Sequence, residues 1–380
     1  MMERKQLNVG MLGTGWMGKI HTHGFRTAQY MFHPKSKWNV EVKAACGTSE
    51  AKTKAFAERF GLKTVYTNYH EMLKDPEINV FDNVAGDLAH YQPTLDAIKA
   101  GKHVICEKPL SLKTSEAKEM WQAAEAAKVK HLCCFSYRFM PAVRLAYEII
   151  KNGDLGQIYH FDCNYYQDPG TAESSVEDVW FVKNPGSGVD QGIGSHMIDM
   201  ARFLIGDIAS IGGGIAKTYV TERNSRKGVV KSEAVEGYHY TMEFKNGVTT
   251  GAMQCLGVAY GKQSEFSFEI FGSKGSLRYD VLDINTLHVY QPNTPTSKVR
   301  GWVKLGATEP DHPFMDIWWP RGHGLGWEHG HINMLAHFLD CVAEDKPIAP
   351  LAATFEDGYI VQAIIDAVHR SCKEGKRVDL

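Results

Sequence analysis

The first third of the chain alternates short apolar runs with longer segments of helical periodicity. The apolar runs predict buried strands at residues 8–12, 40–46, 80–85 and 103–106. Between them, the helical periodicity predicts helices at residues 17–28, 51–60, 91–100 and 115–127. Strands that alternate with helices of this length indicate a doubly wound parallel sheet. The sequence therefore predicts an α/β domain at the N-terminus.

The pattern changes beyond residue 158. Polar and apolar residues then alternate along runs that predict further strands at 160–166, 238–244, 249–256, 264–271 and 287–291. Asn246-Gly247 and Gly275-Ser276 lie between such runs, and turns of this type favour an antiparallel sheet. Helical patterns at 331–343 and 359–373 follow. We expect a first domain over residues 1–134 and an α+β domain with an open, mostly antiparallel sheet over residues 135–380.

A glycine-rich turn follows the first predicted strand and opens the first predicted helix. It reads Gly13-Thr14-Gly15-Trp16-Met17-Gly18. One glycine permits the tight turn, one lets the backbone approach a pyrophosphate, and one allows the helix to pack closely on the strand. The helix N-terminus then faces the anion. The turn predicts a dinucleotide-binding Rossmann domain, and hence a nicotinamide-dependent oxidoreductase.

The end of the second predicted strand bears on the choice of cofactor. An acidic residue there would hold the ribose 2′-hydroxyl of NAD. This chain has Gly47 instead, followed by the hydroxyls of Thr48 and Ser49, with Lys52 and Lys54 further on. The choice between NAD and NADP stays open on this pattern.

Composition and charge exclude several other classes of protein. The chain has 380 residues, of which 43% are hydrophobic and 23% charged, so two globular domains are expected. A net charge of −2 gives no reason to expect a nucleic-acid partner, and no apolar stretch is long enough for a membrane span. The eight cysteines are scattered and the N-terminus has no signal-peptide pattern, which predicts a cytoplasmic location.

A second group of candidate residues lies further along. Lys108, in Glu107-Lys108-Pro109, follows a predicted strand at the edge where doubly wound sheets bind ligands. In a later predicted helix, Ser195 is a candidate cap, and His196 and Asp199 are three residues apart on one face.

Together these motifs resemble the Gfo/Idh/MocA family, the glucose–fructose oxidoreductase and inositol dehydrogenase group. The resemblance covers nearly the whole chain. It rests on the glycine turn, Glu107-Lys108-Pro109, Tyr137-Arg138-Phe139 before Pro141, the helix with His196 and Asp199, Glu269–Ser276 and Phe355–Gly358. It implies a Rossmann domain followed by a sheet domain that covers the nicotinamide and the substrate, with homo-oligomers, dimers or tetramers, as the expected assembly. Within the family, the sequence is most similar to dehydrogenases of sugars, anhydrosugars and glycosides.

The resemblance implies a role for each group of residues. Lys108, His196 and Asp199 are the candidate catalytic residues. Candidate cofactor-binding residues are Gly13, Gly15, Trp16, Met17, Gly18, Thr48, Ser49, Ala85, His90, Glu107 and Lys108. Candidate substrate-binding residues are Tyr137, Arg138, Tyr166, Asp168, Trp180, Asp190, His323 and Trp327. No metal site is expected, because the histidines near residue 329 lack a zinc-binding spacing.

The chain departs from the family pattern in three places. Gly192 stands where members commonly carry an aspartate four residues before the histidine, which leaves Asp199 or Asp190 to orient His196. Ala85-Gly86-Asp87 replaces the usual Thr-Pro-Asn, although His90 is kept. The acid after the second strand is absent.

These residues suit the oxidation of a secondary hydroxyl. His196 would act as the base and Lys108 would stabilise the developing alkoxide, while the nicotinamide takes the hydride. The reverse reduction uses the same residues. Two alternatives remain at this point: a glycoside-modifying enzyme that recycles a tightly bound NAD through a 3-keto sugar, and a non-catalytic dinucleotide sensor.

Overall fold

A computed structural model describes residues 4–177, 179, 182, 188–292, 298 and 300–380. The chain forms two compact units. The first contains the residues up to Phe139 together with Gly326–Gln362, and the second contains Met140–Leu325 and Ala363–Leu380. The chain thus returns to the first unit after residue 325. The domains expected from the sequence, residues 1–134 and 135–380, do not include this return.

The first unit is built on a six-stranded sheet of order β3-β2-β1-β4-β5-β6, with every pair of neighbours parallel. Its strands are β1 Lys5–Leu12, β2 Trp38–Cys46, β3 Thr64–Tyr66, β4 Val80–Asn83, β5 His103–Cys106 and β6 His131–Cys133. The chain order reverses between β1 and β4, and ligands of doubly wound sheets bind at this switch point, beyond the carboxyl ends of the strands. The predicted doubly wound parallel sheet is confirmed.

Helices connect these strands and supply the rest of the first unit. They are α1 Trp16–Met31, α2 Glu50–Phe60, α3 Tyr69–Lys74, α4 Tyr91–Lys99, α5 Thr114–Ala127, α8 Trp327–Glu344 and the start of α9 Phe355–Glu374. Helix α8 belongs to the late return of the chain. It packs closely on α1, because a Cβ on Gly24 would lie 2.7 Å from Leu335 Cδ1. This contact brings residues near 330 beside the helix that follows the glycine turn.

The second unit is built on a nine-stranded sheet of order β16-β15-β14-β13-β7-β12-β11-β8-β17. Only β7 and β12 pair in parallel, so the predicted mostly antiparallel sheet is confirmed. The strands are β7 Ile158–Tyr166, β8 Ile208–Lys217, β11 Gly237–Phe244, β12 Thr250–Leu256, β13 Glu265–Gly272, β14 Ser276–Asp280, β15 Thr286–Tyr290, β16 Trp302–Gly306 and β17 Val378–Asp379. A separate hairpin pairs β9 Glu222–Ser225 with β10 Gly228–Lys231.

One face of this sheet forms a core and the other is polar. Phe161, Phe244 and Phe268 are buried together on the core face, where α6 Pro141–Lys151 and α7 Ser195–Leu204 also contribute buried residues. The opposite face holds a groove of about 560 Å³, whose lining includes Asp162 and Arg278. An alternation of this kind is typical of a sheet that is covered on one side.

Two further observations concern the chain as a whole. All eight cysteines are free thiols, and seven of them are buried. Within the described residues, the structure has no helix whose length and apolar character would suit a membrane span.

Candidate active site

The three glycines of the turn have three different environments. Gly13 has a φ of +112°, and a Cβ there would lie 2.7 Å from the Val84 carbonyl oxygen, so only glycine fits. A Cβ on Gly18 would lie 2.6 Å from the carbonyl oxygen of Gly13, which reflects close packing of α1 on the turn. Gly15 has nothing within 4 Å of a Cβ position. The open side of the turn therefore lies at Gly15.

The N-terminus of α1 at this turn suits an anion. Gly15 occupies the N-cap position without a side-chain hydrogen bond to the helix, and the first turn contains no acidic residue. The first backbone N–H groups of a helix have no partner within the helix, and its dipole favours negative charge there. This arrangement fits the pyrophosphate of a dinucleotide. Met17, which follows Trp16 in this first turn, is half-buried.

The carboxyl end of β2 differs from the usual NAD pattern in a way that packing explains. A Cβ on Gly47 would lie 2.6 Å from Thr53 Oγ1, so an acidic side chain does not fit at this position without a shift. Thr48 is exposed, and Ser49 caps α2 by accepting the backbone N–H of Lys52 at 3.5 Å.

His90 connects the ends of β4 and β5. Its Nδ1 lies 2.7 Å from the Pro109 carbonyl oxygen and its Nε2 lies 3.1 Å from the Ala85 carbonyl oxygen. Burial opposes a charge on this ring, but Cys106, Asp87 and the Pro109 carbonyl raise its pKa to about 9. The charged ring can then donate from both nitrogens. His90 thereby holds the turn after Lys108 against the loop after β4.

Beneath that turn lies a chain of buried ionisable groups. His21 Nδ1 lies 2.9 Å from Asp82 Oδ2, and His21 Nε2 lies 3.1 Å from Glu107 Oε1. The other oxygen of Glu107 accepts the backbone N–H of Lys108 at 3.2 Å. Burial would lower the pKa of His21, but Asp82 and then Glu107 raise it to about 10. Burial would raise the pKa of Glu107, but His21, His331 and Lys108 lower it to about 2.

The same groups could be considered as metal ligands. Ligand atoms of His21, Glu107 and His331 all lie within 4.8 Å of one another. With His21 protonated, the charges of His21 and Lys108 balance those of Asp82 and Glu107, and the net charge is zero. A divalent cation in place of the His21 proton would leave a net charge of +1. Uncompensated buried charge is costly, so the charge balance favours a proton over a metal.

Aromatic rings join this cluster to the glycine turn. The ring of Trp16, which is 64% exposed, stacks on Trp327 with centroids 5.4 Å apart and an interplanar angle of 9°. The ring centroids of Trp327 and His331 are 4.4 Å apart, and those of His331 and His21 are 5.9 Å apart. Burial, and then the charge on His21, lowers the pKa of His331 to about 3, so this ring is neutral. A candidate cofactor residue and a candidate substrate residue are thus neighbours within the first unit.

In the second unit, His196 lies on α7 after a π-helical turn, Asp190–Gly194. His196 and Asp199 are both buried, and the His196 ring lies 6.2 Å from the ring of Tyr165. The prediction that Ser195 caps the helix is wrong. The backbone is already helical at Gly194, and Ser195 Oγ donates to the Gln191 carbonyl oxygen at 2.7 Å.

Asp190, the acid nearest to the missing family aspartate, has another partner. Its Oδ2 lies 2.6 Å from His369 Nε2. Burial lowers the pKa of His369, but Asp190 more than offsets this and raises it. Asp190 and His369 therefore form a partly buried ion pair.

The other candidate substrate residues divide between the two units. Tyr137 and Arg138 are buried in the first unit, where Arg138 Nη2 lies 3.5 Å from Asp357 Oδ1. In the second unit, Tyr166 donates to Gln254 at 3.1 Å and Asp168 is half-buried. His323, also in this unit, is exposed and lies 2.8 Å from the Pro320 carbonyl oxygen. Trp180 lies outside the described residues.

His21, Asp82 and His331 are not among the residues that the sequence predicts for the site. A usable signal existed for Asp82, because a carboxylate inside an otherwise apolar buried strand requires a partner. His21 is three residues beyond Gly18 on the helix that starts at the turn, which makes it an obvious partner to test.

Comparisons with known proteins agree with this geometry. Residues 7–134 match the model of the Gfo/Idh/MocA oxidoreductase family for its NAD-binding Rossmann fold, and residues 147–380 match the model for its C-terminal α/β domain. The levoglucosan dehydrogenase of Pseudarthrobacter phenanthrenivorans is 31% identical, over 99% of this chain and 98% of that protein. The D-glucoside 3-dehydrogenase of Escherichia coli is 24% identical, over 100% of this chain and 99% of that protein.

Solved structures give the same result. A levoglucosan dehydrogenase in complex with NADH and levoglucosan superposes with a TM-score of 0.93 at 30% identity, over 99% of each chain. The prediction of a nicotinamide-dependent oxidoreductase is confirmed at the level of the family. This chain belongs to the Gfo/Idh/MocA family of NAD-binding oxidoreductases.

Proposed function

We propose that this protein is a dehydrogenase that transfers a hydride between a secondary hydroxyl of a sugar or anhydrosugar and NAD. The observation that carries the proposal is the position of Lys108. It lies after β5, at the sheet edge that also holds the glycine turn after β1. The 31% identity to a levoglucosan dehydrogenase over 99% of the chain supports the substrate class.

The residues around the glycine turn fit the dinucleotide. Gly15 would lie against the pyrophosphate, with the N-terminus of α1 facing its charge. Ala85 and His90 would line the nicotinamide side, beyond the end of β4. When bound, the nicotinamide supplies the hydride acceptor. The side chains of this protein must then handle the proton and the charge on oxygen.

Each of the candidate catalytic residues has a distinct role in the proposal. The Lys108 ammonium donates a hydrogen bond to the substrate oxygen and stabilises negative charge as it develops there. His196 accepts the hydroxyl proton, since an unperturbed imidazole titrates near neutral pH. Asp199, three residues further along α7, favours the protonated form of His196. For reduction of the ketone, the same groups act in reverse.

We propose NAD rather than NADP as the cofactor. Glu50 lies in the first turn of α2, just after the carboxyl end of β2, and its Oε1 lies 2.7 Å from Lys54 Nζ. This pair offers a 2′-phosphate no net positive charge, which favours NAD. Thr48 and Ser49 can donate to the ribose hydroxyls.

The cofactor proposal is tested by steady-state kinetics with both dinucleotides. We expect kcat/KM to favour NAD by about 10-fold or more, and Glu50→Gln to narrow that ratio by raising activity with NADP. A preference for NADP in the unmodified protein would overturn the proposal.

Two further proposals concern the setting of the enzyme. The eight free thiols fit a reducing compartment, which supports a cytoplasmic location. The polar open face of the nine-stranded sheet is a candidate for the contact between subunits of a dimer or tetramer. Native mass spectrometry would measure the subunit count directly.

The catalytic proposal is tested by removing the lysine. Lys108→Ala should lower turnover by about 10²-fold or more while NAD still binds, because the alkoxide loses its donor. Lys118→Ala, which removes an exposed lysine on α5, is the matched control and should leave turnover unchanged. His196→Ala should cause a comparable loss, and the double variant should lose far less than the product of the two single effects. Near-normal turnover of Lys108→Ala would refute the proposal.

A further inference from the structure

The buried ion chain beneath Lys108 comes from three separate elements. His21 lies on α1, Asp82 lies inside β4, and Glu107 follows β5. The side chains of His21 and Asp82 are fully buried, and that of Glu107 is 7% exposed. Burying an ionised carboxylate inside a strand costs a desolvation free energy on the order of several kcal/mol. A bound opposite charge can offset this cost. His21 is within hydrogen-bonding distance of both carboxylates.

The contacts of Glu107 point in two directions. One oxygen faces His21 Nε2 at 3.1 Å and the other accepts the backbone N–H of Lys108 at 3.2 Å. The second contact can fix the peptide that carries the proposed catalytic side chain. It is strongest when Glu107 is ionised, because a charged acceptor makes a stronger hydrogen bond than a neutral one.

We propose that His21 and Asp82 are positioning residues for Lys108. Asp82 orients His21 and holds it charged, and charged His21 in turn keeps Glu107 ionised, so that Glu107 holds the Lys108 backbone. The inference rests on the role proposed above for Lys108 in catalysis. It assigns a task to a buried cluster that neither the dinucleotide nor the reaction itself requires.

Among the described residues that face the cluster, none other supplies an effect on Glu107 equal to that of His21. From α8, His331 faces the cluster, but burial and His21 keep it neutral by lowering its pKa to about 3. From the end of β6, Cys134 faces the cluster, and burial together with Glu107 and Asp82 raises the pKa of its thiol well above the ordinary value. Lys108 lowers the pKa of Glu107 less than His21 does, and the proposed reaction commits its ammonium to the substrate oxygen.

Substitutions of the two positioning residues should therefore differ in their effect on the acid limb of the pH profile of turnover. His21→Gln leaves two buried carboxylates and removes the cation between them, so the pKa of Glu107 should rise from about 2 toward neutrality. Turnover should then fall as the pH is lowered through the new value. Asp82→Asn instead removes an anion, so the pKa of His21 should fall from about 10. Glu107 then has one carboxylate fewer beside it and stays ionised, so the acid limb of turnover should not rise.

The double variant separates charge from packing. His21→Gln with Asp82→Asn removes the cation beside Glu107 together with the Asp82 anion, so the pKa of Glu107 should rise less than in His21→Gln alone. The acid limb should rise by about one unit or more in His21→Gln and should lie at least about half a unit lower in the double variant. A cluster that matters only for packing would show the largest loss of turnover in the double variant and no shift of the acid limb. His23→Gln, an exposed histidine on the same helix, is the matched control.

The experiment is the pH profile of kcat for the three variants, the control and the unmodified protein, with NAD saturating. An acid limb that rises in His21→Gln, rises less in the double variant and does not rise in Asp82→Asn would support the inference. Any other order of the acid limbs, or unshifted limbs in all three variants, would overturn it. If a single variant does not fold, imidazole NMR titration of His21 in the unmodified protein decides. Loss of the His21 proton below about pH 8 would overturn the inference, and retention of the proton above that pH would support it.

Two controls keep this test distinct from its alternatives. If Lys108→Ala retains turnover, the proposed catalytic role fails, while the NMR titration of His21 remains a valid measure of the ion chain. If Lys108→Ala is inactive but the limbs do not move, only the positioning inference fails. Titration with Co²⁺ addresses a metal at the same place: stoichiometric binding that abolishes the His21 proton signal would overturn the inference.

Discussion

Gly15 offers a substitution that should remove cofactor binding without harming the fold. Its φ of −77° and ψ of −154° are open to any residue, and no atom lies within 4 Å of a Cβ placed there. Alanine should therefore fold as well as glycine, and it restricts the unfolded chain, which stabilises a protein by about 0.4–1 kcal/mol. By contrast, alanine at Gly13 would meet both a φ of +112° and the Val84 carbonyl oxygen at 2.7 Å. That variant should lose stability.

The magnitude of the binding loss follows from what the methyl group displaces. A Cβ at Gly15 projects from the N-terminus of α1 into the open side of the turn, where the pyrophosphate is expected. Loss of one charge-assisted hydrogen bond from a backbone N–H to a phosphate costs about 1.5–3 kcal/mol. That range corresponds to an increase in Kd for NADH of about 10- to 150-fold. A larger side chain, as in Gly15→Val, should weaken binding further.

The assay pairs calorimetric titration with thermal unfolding. Gly15→Ala should keep or slightly raise the Tm of the free protein and lose most of the stabilisation by NADH. Gly301→Ala is the control, because its Cβ position is also open but lies in the second unit. An unchanged Kd for NADH in a stable Gly15→Ala protein would refute the placement of the pyrophosphate.

Two other substitutions test contacts seen in the structure. Glu236→Gln leaves Arg223 charged and fully buried, so the free energy of unfolding measured in urea should fall by about 3–5 kcal/mol. A fall below about 1 kcal/mol would contradict a buried ion pair there. Trp327→Ala removes the ring that stacks on Trp16, a contact worth about 0.5–1.5 kcal/mol. Because that stack orders the glycine turn, Kd for NADH, measured by quenching of tryptophan fluorescence, should rise about 2- to 10-fold. Trp327→Phe should keep most of the affinity, and equal affinities in all three proteins would exclude a role for the stack.

The strands of the first unit show why most of this fold was predictable. β1, β2, β4 and β5 each contain several buried apolar residues, which the burial of a parallel sheet favours and which make the strands visible in the sequence. β3 and β6 are three residues each, too short to produce a periodicity. In the second unit, β8 contains Gly212-Gly213-Gly214, a composition that strands usually avoid, and its pairing with β11 and β17 overrides that preference.

The candidate site was predictable where its residues are close in sequence. The glycine turn and Glu107-Lys108-Pro109 each combine a local pattern with a position at the end of a strand, and the parallel sheet brings those ends to one edge. The ion chain has no such local pattern. Its members His21, Asp82 and Glu107 are far apart along the chain and meet only through the packing of α1 on the sheet. His331, which lies beside His21, depends in addition on the late return of α8 to the first unit.

Hydride transfer itself is the most direct test of the account. The protein is incubated with NAD and a series of sugars and anhydrosugars, including levoglucosan, that carry deuterium at each secondary carbon in turn. Mass spectrometry then follows the label. The account predicts free NADH that carries one deuterium from a single carbon, and at least about a 10²-fold slower label transfer in Lys108→Ala. NADH without the label, or label transfer that is unaffected by Lys108→Ala, would contradict it.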